Sequence, residues 1–546
     1  METPASVLTR RGFIKTSVAA AGATALSYGT LFAETPAKYR RYNVTSDQGK
    51  KALASYAKGI EAMLKLPADH PQNWFRYAFI HLMDCPHGNW WFYVWHRGYL
   101  AYFEEIIRNL SGDNTFAIPY WDWTALPQIP DSMFNGVLTP QSMSLNPFTR
   151  NLAEFTKFVQ PQLKAYWSTL NAAQLAQLKT RGYGEFDSLW NDVTGFDAQQ
   201  KAGVSGNIAY ANPCGARYLT SDNPKLDDKT AYNVSPFVVY AGLLPTDFYN
   251  DENNLSFNSS KTPSHNTAPG KATSFSVLEG LPHNKVHNYI GGVGPLDPGP
   301  YGYMTNFLSP VDPVFFLHHA NIDRLWDVWT RKQKALNLPY LPTGQDLSAF
   351  SGEPFLFFVN GKGAYVGQSQ AGDYIYMERF GYDYEPGFGE KVVGSPHVAP
   401  AANRAKPPIE GALHGNIASL SLPMDAVKEH LASPTAPSLV AEVILPRPTE
   451  GSPAREFDVV VGAPEDVTEV KANSPYYAGT ISFFGNIMRM SGMSEDVGFA
   501  VPLPRAAEAF HILGAVESVS VNIRLLPTHP YGQIAPTLKS VSIRAM

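Results

Sequence analysis

Six of the 14 histidines in this 546-residue chain fall into two groups with the spacing of metal ligands, and no other feature constrains the fold as tightly. His283 and His287 stand four apart in Leu281-Pro-His-Asn-Lys-Val-His-Asn288, so on a helix both imidazoles leave one face and can share one ion. A lone pair of this kind is more often a surface or core pair. The odds change with Asp312-Pro-Val-Phe-Phe-Leu-His318-His319-Ala-Asn-Ile-Asp323. Asp323 falls one helical turn after His319, where its carboxylate could take the proton of the ring nitrogen that does not bind metal, which makes His319 the third ligand. His318 projects from another face and is expected to pack or hydrogen-bond nearby. The other group is His81, His87 and His96, between Ile80 and Glu104, where three imidazoles from two helices could close on a second ion.

The donor set narrows the metal. A zinc peptidase needs a glutamate directly after the first histidine of a His-x-x-x-His pair, and the residue there is Asn284. Sites made only of imidazole, without carboxylate or thiolate, suit copper, which heads the affinity order for nitrogen donors. A zinc or iron protein using the same histidines is the competing reading. The formal net charge of -5, with 17% charged residues and no block of like charges, excludes nucleic acid and anionic membrane as expected partners.

Apolar positions at helical spacing predict helices over Ser46–Leu66, over two segments of Trp74–Leu110 interrupted at Cys85-Pro86, and over Ala172–Thr180, Pro282–Tyr289 and Pro313–Lys332. The polar stretch from Asn212 to Pro269 reads as long connections, and Gly291–Pro310 as a loop beside the second histidine group. Ser438–Leu445, Glu456–Val461, Tyr477–Phe484 and Ser518–Leu525 read as strands, β-branched and bounded by turn formers.

The two histidine segments, together with Pro119-Tyr-Trp-Asp-Trp123 and Phe380-Gly-Tyr-Asp-Tyr384, resemble the paired copper signatures of the tyrosinase, catechol oxidase and hemocyanin family over roughly residues 40 to 385. Tyr93 departs from the pattern, where a nonpolar residue is usual. The resemblance implies a mainly α fold, with a four-helix-bundle dicopper domain followed here by a C-terminal β-sandwich. It implies two copper ions, one on His81, His87 and His96 and one on His283, His287 and His319. It also implies a phenol oxidase that ortho-hydroxylates monophenols and oxidises o-diphenols to o-quinones with dioxygen. A catechol oxidase or an o-aminophenol oxidase without monophenolase activity is the alternative, and a hemocyanin-like oxygen carrier the alternative of another class.

Further expectations attach to single residues. Cys85, two positions before His87, resembles a cysteine that forms a thioether to that imidazole in the fungal branch; the bland reading is a small buried thiol. Glu279, with Asn284, is similar to the pair that holds a water near copper as base toward a phenol, and the plain alternative for Glu279 is a carboxylate at a helix N-terminus. Phe307 is a candidate gate over the copper pair, against simple core packing, with Met304 and Tyr303 as substitutes. Arg97 and Glu104 are expected in structural ion pairs.

Arg10-Arg11 followed by a small-residue apolar run predicts a twin-arginine export signal over residues 1–33 and a periplasmic or secreted enzyme, with no membrane association after cleavage. Residues 34–385 are then the oxidase domain, 386–408 a linker and 409–546 a β-sandwich; the resemblance implies that it covers the active site in a latent form, and a domain serving only stability or oligomer contacts is the alternative. Phenols and dioxygen are the expected small-molecule partners, and a copper chaperone a candidate protein partner.

Overall fold

The helices begin and end where the side chains supply partners for unpaired backbone groups. In α1 (Asp47–Lys65) the Ser46 side chain accepts the Gly49 N–H, and in α2 (Trp74–Asp84) the Asn73 side chain accepts those of Phe75 and Arg76. Cys85-Pro86 stops α2, because proline has no N–H to continue the ladder. α3 (Phe92–Ser111) stops at Gly112, whose φ of 76° is one that glycine adopts without steric cost. The computed structural model describes residues 37–194, 217–249, 255–266, 273–296, 301–394, 407–432, 439–447, 454–485, 496–512, 517–528 and 537–545. The signal segment 1–33, Cys214 and residues 395–406 of the expected linker lie outside them.

Farther along come α4 (Ala172–Thr180), α5 (Asp228–Asn233), α6 (Pro236–Leu243), α7 (Asn284–Gly291) and α8 (Val314–Ala335). α3 packs against α1 and α8, and α1 against α2, around a core rich in tryptophan and phenylalanine. Two of these helices correct the reading of 212–269 as connection alone. α5 forms because Asp227 caps it by accepting the Thr230 N–H, and α6 because Pro236 sits in its first turn, where a missing N–H costs nothing. The turn entering α7 also differs from a plain helix: Glu279–His283 is π-helical and contains Pro282. Such one-turn irregularities concentrate at functional sites.

The later part of the chain is β-rich. β1 (Thr273–Phe275), contributed from before α7, joins β2 (Ile409–Glu410), β3 (Ala412–His414), β4 (Ile417–Pro423), β5 (Leu439–Pro446), β6 (Glu456–Val461), β7 (Tyr477–Ser482), β8 (Asp496–Pro502), β9 (Ser518–Pro527) and β10 (Ser540–Ala545). They form two five-stranded sheets, in the orders β7-β6-β9-β4-β3 and β1-β8-β5-β10-β2. Alternate residues of both sheets, among them Leu420, Val443, Val459, Phe499 and Val521, bury into one shared core. Phe275 and Leu281, which flank Glu279, belong to that core as well, and Phe275 stacks on Phe499 at 5.2 Å. Residues Tyr39–Met546 are thereby one compact unit. No helix among the described residues is long and apolar enough to cross a membrane.

Candidate metal centre

His81 lies on α2, His96 on α3, His287 on α7 and His319 on α8, while His283 ends the π turn and His87 sits in the loop after Pro86. Four of the rings are oriented by an oxygen that their Nδ1 meets. His81 Nδ1 is 2.6 Å from the Phe307 carbonyl, His96 Nδ1 2.7 Å from that of Phe92 and His287 Nδ1 2.8 Å from that of Met304. His283 Nδ1 is 2.9 Å from Asn284 Oδ1. An oxygen acceptor requires the proton on Nδ1, so in these neutral rings Nε2 carries a lone pair. Burial keeps the rings neutral by pushing their pKa values down, to about 3 for His81 and His283 and well below the ordinary range for His87, His96, His287 and His319.

Lone pairs then converge. His81 Nε2 and His96 Nε2 face each other at 3.3 Å with both Nδ1 protons spent on carbonyls, and His287 Nε2 lies 3.1 Å from His319 Nε2. The buried Nε2 atoms of His87 and His283 have no protein partner. For His81 and His96, two buried nitrogen donors that approach with neither carrying a proton fit a bound cation. Ligand atoms within 4.8 Å of one another group as His283, His287, His318 and His319, as His81, His96 and His319, and as His81, Cys85 and His87. The two triads adjoin: the rings of His96 and His319 stack at 4.2 Å, and those of His87 and His283 lie 5.5 Å apart.

His318 is held as expected, accepting the Trp123 indole N–H on Nδ1 at 2.9 Å, yet its unpartnered Nε2 also reaches the second group. Asp323 corrects an expectation. Its carboxylate bonds Arg97, Arg41, Tyr382 and Tyr384 rather than a histidine, and His319 Nδ1 is left without a partner. Against the effect of burial, Arg97 and Arg41 hold that carboxyl below its usual range, so it works as an anion between two guanidinium groups. Glu104 completes the cluster by pairing with Arg41 at 2.9 Å, which ties the entering chain to α3 and α8.

Glu279 is fully buried, accepting the Gly88 N–H at 2.7 Å on one oxygen and the Ser259 hydroxyl at 2.5 Å on the other. Burial pushes its pKa up to about 8. Asn284 accepts from His283 and donates to the Ser482 carbonyl at 2.9 Å, which leaves one amide N–H. Cys85 is a buried free thiol with Sγ 3.4 Å from His87 Nδ1. The Phe307 ring stacks on His87 at 5.3 Å, while Met304 and Tyr303 are buried.

One residue the sequence reading did not single out packs against rings of both histidine groups. Phe484, just after β7, lies 4.2 Å from the His287 ring, 4.9 Å from His87, 5.6 Å from His283 and 5.5 Å from Phe307. Its only sequence signal is Phe483-Phe484 at a strand end, which reads equally well as core.

The family model described as the common central domain of tyrosinase matches residues 65–332. Polyphenol oxidase II of Ipomoea batatas is 25% identical over 379 residues, 66% of this chain and 52% of the relative. A tyrosinase of a Hahella species is 28% identical over 250 residues, 45% of this chain and 37% of the relative. The chain spans about half or less of the length of these curated relatives. Among solved structures, that of a latent aurone synthase, a polyphenol oxidase, is similar in fold with a TM-score of 0.52 and 18% identity, over 94% of this chain and 90% of that one. Residues 65–332, which carry all six clustered histidines, match the common central domain of tyrosinase, a family of type 3 dicopper proteins.

Proposed function

We propose that the chain is a copper-dependent phenol oxidase that ortho-hydroxylates monophenols and oxidises o-diphenols to o-quinones with dioxygen. The observation that carries this reading is the convergence of buried, neutral imidazole lone pairs in two adjoining groups with no carboxylate or thiolate among the assigned ligands. In this reading His81, His87 and His96 hold one copper ion and His283, His287 and His319 the other, at the centre of a four-helix bundle. The two ions, when bound, supply the redox chemistry that couples reduction of dioxygen to oxidation of the phenol. The protein fixes the tautomers of His81, His96, His283 and His287 and buries all six rings.

Glu279 and Asn284 supply the proton chemistry. A phenol with a pKa near 10 stays protonated at neutral pH, so its binding as phenolate needs a nearby acceptor. A carboxyl titrating at about 8, fixed by Gly88 and Ser259, is matched to that transfer. Cys85 and His87 are joined in this reading by a thioether, which restricts the His87 ring. Phe484 fills the approach to the histidines and makes the chain latent, with Phe307 as the gate beneath it. Residues 1–33 direct twin-arginine export, 34–385 are the oxidase domain, 386–408 the linker and 409–546 the covering domain.

Oxygen uptake by the copper-loaded chain tests the assignment, with tyrosine and L-DOPA as substrates and with Phe484→Ala alongside the wild type. Uptake on both substrates, faster in the variant, is expected. Uptake on L-DOPA alone makes the chain a catechol oxidase, and reversible oxygenation without turnover makes it a carrier.

A further inference from the structure

Arg181, at the C-terminal end of α4, reaches across to the end of α2, where the last carbonyls have no helical partner. Its Nη1 donates to the Cys85 carbonyl at 2.9 Å and to Asn266 Oδ1 at 2.8 Å, and its Nη2 donates to the Leu82 carbonyl at 3.2 Å. The same Nη2 lies 3.8 Å from Cys85 Sγ. The guanidinium also sits over the Phe307 ring at 5.8 Å, and that ring stacks on His87. One side chain therefore grips the backbone and sulfur of Cys85 and the ring that backs the imidazole.

We propose that Arg181 is the positioning residue that presents Cys85 Sγ to the His87 ring for their cross-linking, an inference that rests on the thioether reading. Sγ stands 3.4 Å from Nδ1, and Cε1, the C–H carbon bonded to Nδ1, is the carbon it must join. In the step, the Sγ–H and Cε1–H bonds break and the Sγ–Cε1 bond forms. Two protons pass to solvent, and two electrons pass to two copper(II) ions, each reduced to copper(I). A sulfur free to turn about χ1 loses this alignment, and misplacements of that size slow oriented reactions by an order of magnitude or more. The hydrogen bonds to Leu82 and Cys85 pin the end of α2 and so hold the sulfur in one place.

The test is peptide mass mapping with thiol alkylation after copper is added to metal-free wild type, Arg181→Met and Arg181→Lys, with zinc addition as the control that accepts no electrons. The wild-type peptide spanning Cys85 and His87 is expected to become lighter by two hydrogens and to resist alkylation with copper but not with zinc. Cross-linking should slow about tenfold or more in Arg181→Met and less in Arg181→Lys. If Arg181→Met fails to fold, the rate in Arg181→Lys decides. Cross-linking at the wild-type rate in a folded variant overturns the role of Arg181. A wild type that keeps its thiol with copper removes the thioether reading itself, while leaving the copper assignment to be judged on metal content.

Discussion

The two histidine triads are built alike in chemistry and differently in support. The first takes its orientation from the helical region: His81 from the Phe307 carbonyl, His96 from the Phe92 carbonyl one turn before it, and the His87 loop from Arg181 and Glu279. The second leans on the β-rich region. Asn284, which orients His283, donates to the Ser482 carbonyl, and Asn288, next to His287, donates to that of Phe483 at 3.0 Å. Between the two ligands Lys285 is buried in a 2.5 Å ion pair with Glu456, 171 positions away. Against burial, which would strip its proton, Glu456 lifts the Lys285 pKa above its ordinary value. The segment that carries Phe484 thus also supplies, through the Ser482 and Phe483 carbonyls, contacts that hold α7 in place. On the proposed latent reading, detaching the β-rich region frees the histidines from Phe484 and loosens the second triad together.

This contrast can be broken at several points. The largest effect is expected from His96→Ala and His287→Ala, each of which should abolish oxygen uptake and bring bound copper from two ions per chain to one, as read by elemental analysis. Glu456→Ala separates the triads more sharply. It leaves the Lys285 ammonium buried without a partner, at a cost of about 3–5 kcal/mol, and should deplete copper from the second site while the first stays filled. The apolar double variant Lys285→Met with Glu456→Leu should recover most of that stability in a denaturant titration, because the pair's desolvation cost disappears with its attraction. Equal depletion of both sites by Glu456→Ala would erase the distinction.

Phe484→Ala tests the proposed covering role without removing the Ser482 and Phe483 carbonyls that hold α7. It should raise diphenol turnover about tenfold and lower stability by roughly 3 kcal/mol, and unchanged turnover would show that Phe484 is only core. The smallest effect is on pH. Burial raises the Glu279 pKa to about 8, so its basic form grows as pH rises through that value. In the copper-loaded chain the ratio of tyrosine to L-DOPA turnover should rise with pH through an interval displaced below that value by the charge of bound copper, and the dependence should vanish in Glu279→Gln.

Much of the helical region was legible in the sequence because its signals are local. Ser46, Asn73 and Cys85-Pro86 mark helix ends through their own side chains, and the i, i+4 spacing of His283 and His287 gives a shared face without knowledge of the rest. What escaped was carried by distant or backbone partners. The carbonyls of Phe307 and Met304 orient His81 and His287 irrespective of which side chains stand there. Asp323, one turn after His319, looked like a ring partner because Arg41, 282 positions earlier, is invisible as its competitor. The strands of Ile417–Pro423, Asp496–Pro502 and Ser540–Ala545 and the helices within 212–269 were likewise not read. The strands owe their stability to the shared core more than to local propensity, whereas the Asp227 cap and Pro236 were local signals within a polar stretch.

The most direct test is metal content of the purified chain after exposure to equimolar copper and zinc, for the wild type and Glu456→Ala. Two coppers per wild-type chain, with the second site selectively emptied in the variant, is the predicted result. A single bound zinc, or two coppers lost in parallel, would contradict the account.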